Sequence, residues 1–513
     1  MKKFLVVLLS ILCSVGIVAA LTGCSNGGHV HSFDKQVVSE EYLAKEATCT
    51  EKAKYYYSCE CGAKGTKTFE YGSATNHNFV SVVCTHCGRE QESSKGLEFA
   101  LLNDDTYEVS GLGGCSDTEI VIPRKYNDKP VTSIGVSAFE NCNDITSVIL
   151  PVGLTGIDMF AFSGCGELTN ISIPDTITCV DAEAFKDCNK LKYNKYDNAF
   201  YLGNEINPYA VFIKVTSADV EDCAINKGCK AIICDNFFDS SWRGKLKNIY
   251  ITDLDAWCRI SGLLNLMDCY DGSDLINKNL YLNNEIVINL VIPDGITSIR
   301  QGAFLGFGCL TSVIIPDSVT TIERCAFYGC GGLKSVTIGS GVTYIDDNVF
   351  TDCISLTSIA IPDRVAYIGV GAFEGCSSLT SITIPDSVTS IYAIAFYGCS
   401  GLTSITIGKG VIGIGDSAFM GCSGLTEIII PDSVTIIDYC AFAGCDGLAN
   451  ITIGKGVMSI GGFAFSNRVG LKSITYKGTV AEWDQIKKGD SWSYNVPADC
   501  IIHCTDGDIK ISE

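Results

Sequence analysis

One unit of 23 residues recurs through the second half of the chain and limits what it can fold into. Residues 379–401, 402–424 and 425–447 read LTSITIPDSVTSIYAIAFYGCSG, LTSITIGKGVIGIGDSAFMGCSG and LTEIIIPDSVTIIDYCAFAGCDG. The Phe of the AFxGC segment, or its equivalent, returns every 23 residues, at Phe304, Phe327, Phe350, Phe373, Phe396, Phe419, Phe442 and Phe465. Self-similarity at such a period is typical of a solenoid, in which each unit buries its apolar face against its neighbours.

The apolar spacing inside one unit predicts its local structure. After Leu402, Ile405 and Ile407 fall on one face of a short strand by period-2 alternation. The Pro-Asp or Gly-Lys pair that follows predicts a turn. In AFxGC, Phe and Cys are three residues apart, which places them on one helical face. The sequence therefore predicts a β-rich repeat solenoid with short helical segments.

These residues also carry a family resemblance. The motif LTSIxIPxSVTSIGxxAFxGCxx resembles the BspA-like type of bacterial leucine-rich repeat over roughly residues 110–480, and eleven Phe landmarks in two blocks share its register. The resemblance implies a right-handed leucine-rich-repeat solenoid on a bacterial surface protein that binds other molecules.

Departures from this register predict the organisation of the chain. Residues 1–24 form an export signal, and residues 25–95 form a Cys/His-rich module with a linker. Residues 96–191 and 286–480 carry the repeats, while residues 192–285 lose the period and predict irregular coils within the same solenoid. Residues 481–513, with large aromatic side chains, predict a cap that shields the last coil.

The first 24 residues predict how the chain reaches its destination. Two lysines precede an apolar run, which ends in Leu21-Thr22-Gly23-Cys24. This ending resembles a bacterial lipobox, which implies that Cys24 becomes the first mature residue and the lipid anchor to a membrane. The alternative is an uncleaved transmembrane helix, because the apolar run is nearly long enough to span a bilayer.

The module at residues 25–95 predicts a zinc-ribbon-like site. Cys59, Cys61, Cys84 and Cys87 form two pairs, each followed by Gly, and paired thiolates contributed twice suit a tetrahedral zinc ion. Four protein ligands would make this zinc structural, since no position remains for a reacting water. The single residue between the first two cysteines weakens the match, and a module with disulfides or free thiols stays open as the alternative.

Nine further cysteines occupy one position of the repeat, three residues after the Phe or its equivalent. They are Cys142, Cys165, Cys188, Cys330, Cys353, Cys376, Cys399, Cys422 and Cys445. A residue fixed by the repeat register is most simply a small buried apolar side chain, which favours a structural role over metal binding or redox chemistry.

Charge and histidine content argue against two classes of function. The net charge of −21 disfavours nucleic acid as a partner, because its binding requires phosphate neutralisation by Lys and Arg. No His lies between Cys87 and Ile502, so the repeats cannot form a Ser-His or Cys-His nucleophilic pair. The Asp of each IPD turn is explained by turn hydrogen bonding. We predict no catalytic residues and a protein that is not an enzyme.

The remaining aromatic side chains, rather than the polar ones, predict a binding function. The outward positions of the repeat strands carry small polar residues, such as Ser381 and Thr383, which could bind a repetitive polymer or an extended protein edge but are more simply ordinary solvated strand residues. Aromatic anchors, which are typical of binding hot spots, concentrate in residues 192–285, and we predict ligand contacts at Tyr201, Tyr209, Trp242, Tyr250 and Trp257.

The family resemblance implies adhesion by a lipid-anchored cell-surface protein to host or neighbour-cell macromolecules, with an extracellular protein or glycan as ligand. The alternative is a cell-wall or glycan-binding accessory protein with weak hydrolase activity. A third interpretation is a scaffold without a diffusible ligand.

Overall fold

The computed structural model describes residues 32–58, 62–74, 79–80, 83–84, 89–181, 183–233, 245–267, 277–467 and 470–511. The chain divides into two compact units, Met1–Glu92 and Ser93–Glu513. The predicted lipid anchor Cys24, the predicted zinc ligands Cys59, Cys61 and Cys87, and the predicted contact Trp242 lie outside the described residues.

The first unit contains a short 3₁₀ turn, Glu40–Tyr42, and small sheets. Its strands are β1 Leu43–Lys45, β2 Ala53–Ser58, β3 Lys64–Tyr71, β4 Phe79–Val80 and β5 Val83–Cys84. β1, β2 and β3 form an antiparallel sheet, and β4 pairs antiparallel with β5. Tyr42, Cys49 and Phe69 are buried in this unit.

The second unit begins with the first block of repeats. Its strands are β6 Glu98–Leu101, β7 Tyr107–Gly111, β8 Glu119–Val121, β9 Lys125–Tyr126, β10 Lys129–Ile134, β11 Ser147–Ile149, β12 Gly156–Ile157, β13 Asn170–Ser172 and β14 Cys179–Val180. Successive coils add parallel strands to two sheets, one with the order β8-β11-β13 and one with the order β7-β10-β12-β14. The antiparallel strand β6 covers the first edge of the latter sheet.

The irregular segment keeps part of this arrangement. Its elements are β15 Asn194–Tyr196, β16 Ala199–Leu202, β17 Val211–Val215, β18 Asp222–Ala224, β19 Ala231–Ile232, β20 Asn248–Ile251, α1 Leu254–Arg259, α2 Leu263–Met267, β21 Asn279–Leu282 and β22 Glu285–Ile286. β17 pairs parallel with β19, and β18, β20 and β21 form a parallel set, as in the repeats. Antiparallel hairpins at β15–β16–β17 and β21–β22 interrupt the period.

The regular coils each contribute two strands. These strands are β23 Asn289–Val291, β24 Ser298–Ile299, β25 Ser312–Ile315, β26 Thr321–Ile322, β27 Ser335–Ile338, β28 Tyr344–Ile345, β29 Ser358–Ile359, β30 Tyr367–Ile368, β31 Ser381–Thr383, β32 Ser390–Ile391, β33 Ser404–Thr406, β34 Gly413–Ile414, β35 Glu427–Ile430, β36 Ile436–Ile437, β37 Asn450–Ile453, β38 Ser459–Ile460 and β39 Ser473–Tyr476. The odd-numbered strands line one side, which we call the first-strand face, and the even-numbered strands from β24 to β38 form one continuous parallel sheet.

The Phe landmarks of the regular coils lie in a row inside the unit, as the period predicts. Neighbouring rings from Phe304 to Phe465 have centroids 5.2–5.6 Å apart and interplanar angles of 1–16°. All eight side chains are fully buried. The stacked row confirms the solenoid, because each ring removes the neighbouring rings from water.

The AFxGC segments are turns, and the prediction that they are helical is wrong. The Cys330 N–H donates to the Phe327 carbonyl oxygen at 3.2 Å, which closes a single turn. Cys325, two residues before Phe327, has φ 58°, and Gly329, two residues after it, has φ 69°. These left-handed residues stop a right-handed helix on both sides. The α-helices of the described residues are α1, α2 and, after the repeats, α3 Val480–Gln485.

The cysteines of the repeat pack as the sequence predicts. Eight of the nine are buried, and Cys142 in the first coil is partly exposed. Each buried thiol donates to the carbonyl oxygen of the Phe in the preceding coil; Cys330 Sγ lies 3.0 Å from the Phe304 oxygen and Cys399 Sγ lies 3.1 Å from the Phe373 oxygen. Burial raises the pKa of the Cys399 thiol to about 12. These thiols therefore stay protonated at neutral pH and link one coil to the next.

The chain after the repeats closes the last coil. It contains α3, β40 Lys487–Lys488, β41 Ile501–Cys504 and the antiparallel edge strand β42 Gly507–Lys510. The Trp492 ring packs edge-on against the Phe465 ring, with centroids 6.2 Å apart. The centroids of the Trp483 and Trp492 rings are 5.9 Å apart. Both Trp side chains are buried, so they shield the end of the Phe row from water.

Candidate binding surface on the first-strand face

The first-strand face presents two columns of small polar side chains. One column contains Ser335, Ser358, Ser381 and Ser404, and the neighbouring column contains Thr337, Ala360, Thr383 and Thr406; all eight residues are exposed. The alternating Val or Ile residues between them point into the core. The structure therefore confirms the predicted outward placement of the Ser and Thr residues.

Regular pairing holds most of this face together. The Ile292 N–H donates to the Ile314 carbonyl oxygen at 2.9 Å, and the Ile384 N–H donates to the Thr406 carbonyl oxygen at 2.8 Å. β25 and β27 pair over four residues, and β31 and β33 pair over three. Such continuous ladders leave little of the backbone free to contact a ligand.

The ladder is interrupted at Ala360. β29 pairs with β27 at two residues and with β31 only at Ser358, which pairs with Ser381. Among the backbone hydrogen bonds of residues 277–467, no carbonyl oxygen accepts from the Ile361 N–H. A cavity of about 560 Å³ opens here, which we call the Ala360 groove. Its lining residues are Ser335, Val336, Thr337, Ser358, Ile359, Ala360, Ile361, Asp363, Ser381, Ile382, Thr383 and Pro385.

A second interruption lies between β33 and β35. These strands are neighbours but belong to separate ladders, and no carbonyl oxygen among the described residues accepts from the Ile407 N–H. A cavity of about 440 Å³ opens here, which we call the Ile429 groove. Its lining residues are Ile405, Thr406, Ile407, Lys409, Ile429, Pro431, Asp432, Ser433 and Lys477.

Sequence reasoning missed both grooves, although a signal for them exists. From Thr337 to Thr475, the outward column reads Thr, Ala, Thr, Thr, Ile, Thr, Thr, and the two exceptions are Ala360 and Ile429. Both interruptions therefore occur where the column lacks Thr. The signal is incomplete, because Val291 and Ile314 also depart from Thr and still pair with each other.

Two of the aromatic residues predicted to contact a ligand are core residues instead. Tyr201 is fully buried, and its hydroxyl donates to the Ala224 carbonyl oxygen at 3.3 Å. Trp257 is also buried, and its Nε1–H donates to the Ala303 carbonyl oxygen at 3.1 Å. Burial corrects the prediction for these two, since neither side chain has free surface for a ligand.

The other described aromatic candidates are partly exposed. Tyr209 packs beside Tyr201 with ring centroids 5.6 Å apart. Tyr250 stacks on Tyr281 of the neighbouring strand at 4.6 Å. Both side chains keep some free surface, so Tyr209 and Tyr250 stay predicted ligand contacts.

Polar groups with catalytic potential have structural partners. The Asp386 carboxylate accepts from the Lys409 N–H of the next coil at 2.7 Å, and the Asp317 carboxylate accepts from the Ser340 N–H at 2.6 Å. Both bonds join the turns of consecutive coils instead of closing one turn, so these two carboxylates have a structural role between coils. His503 lies at the exposed end of the unit, where its Nδ1 is 2.8 Å from Asp508 Oδ1.

The described residues bear on the metal and membrane predictions only in part. Within the described ranges, no three His, Cys, Asp or Glu side chains lie close enough together to hold a metal ion. The same ranges contain no helix long and apolar enough to cross a bilayer. The zinc and lipid-anchor predictions concern other residues, apart from Cys84, for which only the backbone strand is described.

The repeats of this chain match the model of a known family. The model of the BspA type leucine rich repeat region matches residues 112–241, 274–403 and 367–486, in six copies, which is more than half of the chain. The chain belongs to this family. Both grooves lie within the matched BspA-type repeats, so they are features of the repeat array itself.

Several solved structures resemble this BspA-type protein. A leucine-rich repeat protein from Bacteroides ovatus is 22% identical, with 80% of this chain and 98% of that chain covered and a TM-score of 0.36. A leucine rich cell surface protein from Faecalibacterium prausnitzii is 26% identical, with 77% and 97% covered and a TM-score of 0.31. The pneumococcal vaccine antigen PcpA is 16% identical, with 81% and 93% covered and a TM-score of 0.32.

These TM-scores are low, so the family assignment depends on the repeat match. No curated protein matches the chain in sequence.

Proposed function

We propose that this protein is a non-enzymatic adhesin that binds an extracellular macromolecule of a host or neighbouring cell through the first-strand face of its BspA-type repeats. The observation that carries the proposal is the Ala360 groove, where an interrupted ladder and exposed hydroxyl groups coincide in a cavity of about 560 Å³. Leucine-rich repeat proteins generally bind protein ligands, and a protein is therefore the leading ligand class.

The test is a binding screen of the full chain against extracellular-matrix proteins and glycans. Ala360→Arg places a long charged side chain in the middle of the groove, and we expect it to lower binding of the captured ligand at least tenfold. Met458→Arg is the matched control, because Met458 is 67% exposed and does not line the groove. Equal binding by both variants would contradict the proposal.

A glycan is the second candidate ligand, and the lining of the Ala360 groove favours it. Ser335, Ser358 and Ser381 align across three strands there and can donate or accept hydrogen bonds to sugar hydroxyls. Hydrolysis of that glycan is not part of the proposal. Asp363 is the one acid that lines the groove, whereas glycoside hydrolysis ordinarily requires two carboxylates. Glycan turnover that persists in Asp363→Asn would point to a site elsewhere.

We also propose that Cys24 carries the lipid that holds the protein at the cell surface. Its lipobox-like context supports this anchor. Metabolic labelling with palmitate tests it: the wild-type protein should incorporate label and remain with the membrane, while Cys24→Ser should lose both properties. A Cys24→Ser variant that stays labelled would contradict this anchor.

For the Cys/His-rich module we propose one structural zinc ion held by Cys59, Cys61, Cys84 and Cys87. The paired spacing supports this site. Metal analysis of the full chain, purified under reducing conditions, should find one zinc per chain in the wild type and none in Cys84→Ser with Cys87→Ser. Absence of zinc from the wild type would favour the disulfide or free-thiol alternative.

A further inference from the structure

We propose that the Ile429 groove binds a short acidic peptide segment, in which an aliphatic side chain lies next to a carboxylate. This inference depends on the proposed binding function and gives it a second site with its own ligand chemistry. The groove volume of about 440 Å³ is within the range of small-ligand pockets.

The apolar part of the groove suits an aliphatic side chain. Ile429 is 58% exposed on the first-strand face, and Ile405 and Ile407 line the same cavity. Covering this surface with an aliphatic side chain removes apolar area from water on both partners. A sugar would instead bury hydroxyl groups against isoleucine without hydrogen-bond partners, which is unfavourable.

The charges at the groove select an anion. Lys409 makes no salt bridge within residues 277–467 and 470–511. Lys477 has one weak contact, 3.9 Å from Asp432 Oδ1, and that oxygen already accepts from the Lys455 N–H at 3.3 Å. Two lysines and one carboxylate, Asp432, therefore line this apolar cavity, so the groove has a net positive charge on a chain of net charge −21. A carboxylate placed between them would form charge-assisted hydrogen bonds.

An unpartnered hydroxyl gives independent support. In two other coils the equivalent serine donates to the preceding coil: Ser318 Oγ to the Ile296 oxygen at 2.9 Å, and Ser387 Oγ to the Val365 oxygen at 2.7 Å. Ser433 lines the Ile429 groove, and its Oγ is buried without a hydrogen-bond partner. Buried hydroxyls are normally paired, and an acceptor on a bound ligand would supply the missing partner once the Ser433 side chain rotates toward the groove.

Fluorescence anisotropy with the full chain tests the charge requirement. The probe is a labelled, end-blocked pentapeptide Leu-Glu-Leu-Glu-Leu, and the comparison probe has Gln in place of Glu. We expect the acidic peptide to bind at least tenfold more tightly than the neutral one, and to lose at least tenfold in affinity in the double variant Lys409→Gln with Lys477→Gln. Lys455→Gln is the control, because Lys455 occupies the same turn position two coils later and does not line the groove; its affinity should change less than twofold.

A second pair of variants separates binding from folding. Ser433→Ala should weaken peptide binding about threefold or more without lowering the midpoint of urea unfolding. Ser387→Ala should do the reverse, because it removes a hydrogen bond to Val365 and does not touch the groove.

Equal affinity for the two peptides, or full binding by the double lysine variant, would overturn the inference. Failure of the acidic peptide to bind at millimolar concentration would overturn it as well. If a macromolecule from the screen still binds in an Ala360-dependent way, such a failure removes this inference alone and leaves the proposed function standing.

Discussion

The regular coils at residues 286–480 and the irregular segment at residues 192–285 fill their cores in different ways. In the regular coils, one Phe per coil stacks on the next at 5.2–5.6 Å, and a buried thiol reaches the preceding carbonyl oxygen. In the irregular segment, Tyr201 and Trp257 pack at an angle to their aromatic neighbours instead of in a repeated stack, and each donates a hydrogen bond to one carbonyl oxygen. A repeated core is specified by register, whereas an irregular core is specified by single contacts.

The same contrast explains where ligands are proposed to bind. The irregular segment, with its many aromatic residues, is the natural place to expect recognition, yet Tyr201 and Trp257 are buried in its core. Both grooves lie instead inside the regular block, at interruptions of an otherwise continuous ladder. Recognition is therefore expected where a regular surface is locally broken.

The largest expected loss of stability comes from interrupting the stacked Phe row. Phe373 stacks between Phe350 at 5.5 Å and Phe396 at 5.2 Å. Phe373→Ala should lower the free energy of unfolding by about 3–5 kcal/mol, because it leaves a cavity and removes two ring contacts. Urea unfolding followed by circular dichroism measures the change. Tyr397→Ala, at a 38% exposed position of the next coil, should cost less than about 0.5 kcal/mol; equal losses would contradict a stacked core.

A smaller effect is expected in the irregular segment. Trp257→Phe keeps an aromatic ring but leaves the Ala303 carbonyl oxygen without its donor. The free energy of unfolding should fall by about 1–3 kcal/mol, the usual cost of an unpaired buried group. The same urea experiment measures it, and a neutral substitution would show that the single contact does not specify this core.

The repeat cysteines should make stability depend on alkaline pH. Burial raises the pKa of Cys399 from 9.0 to about 12, so the folded chain keeps a proton that the unfolded chain loses. The resulting stability is complete below pH 9 and falls as pH rises, by about 1.4 kcal/mol per pH unit for each such thiol. Urea unfolding at pH 8, 9 and 10 should give a shallower decline for Cys399→Ala than for the wild type. Identical slopes would contradict a buried, protonated thiol.

The smallest effect concerns the turn before Phe396. Ile394 has φ 51°, a left-handed conformation that a β-branched residue adopts at a cost, and Asn348 occupies the equivalent position with φ 55°. Ile394→Asn should raise the free energy of unfolding by about 0.5–1 kcal/mol. The reverse change, Asn348→Ile, should lower it. Opposite signs in the same urea assay would show that the turn is not strained.

The sequence predicts most of the regular array because one register places every Phe, Cys, Leu and strand residue. The sequence does not predict features that depend on more than the position of a residue in the repeat. The spacing of Phe and Cys in AFxGC suits a helix, but the recurring Gly two residues after Phe was the sign that the backbone turns left-handed there. The burial of Tyr201 and Trp257 could not be predicted in this way, because they lie in the irregular segment, which has no repeat register to indicate which side chains face the core. The interruptions of strand pairing between β29 and β31 and between β33 and β35 depend on both neighbouring strands, and not on Ala360 or Ile429 alone.

We propose that two interruptions of strand pairing turn a regular surface into binding grooves. Amide hydrogen exchange of the full chain, resolved at single residues, tests it most directly. The Ile384 N–H, which donates to Thr406 at 2.8 Å, should exchange slowly, while the N–H groups of Ile361 and Ile407 should exchange at least tenfold faster. Equal protection of all three amides would mean that the ladder is continuous, and the account of both grooves would be wrong.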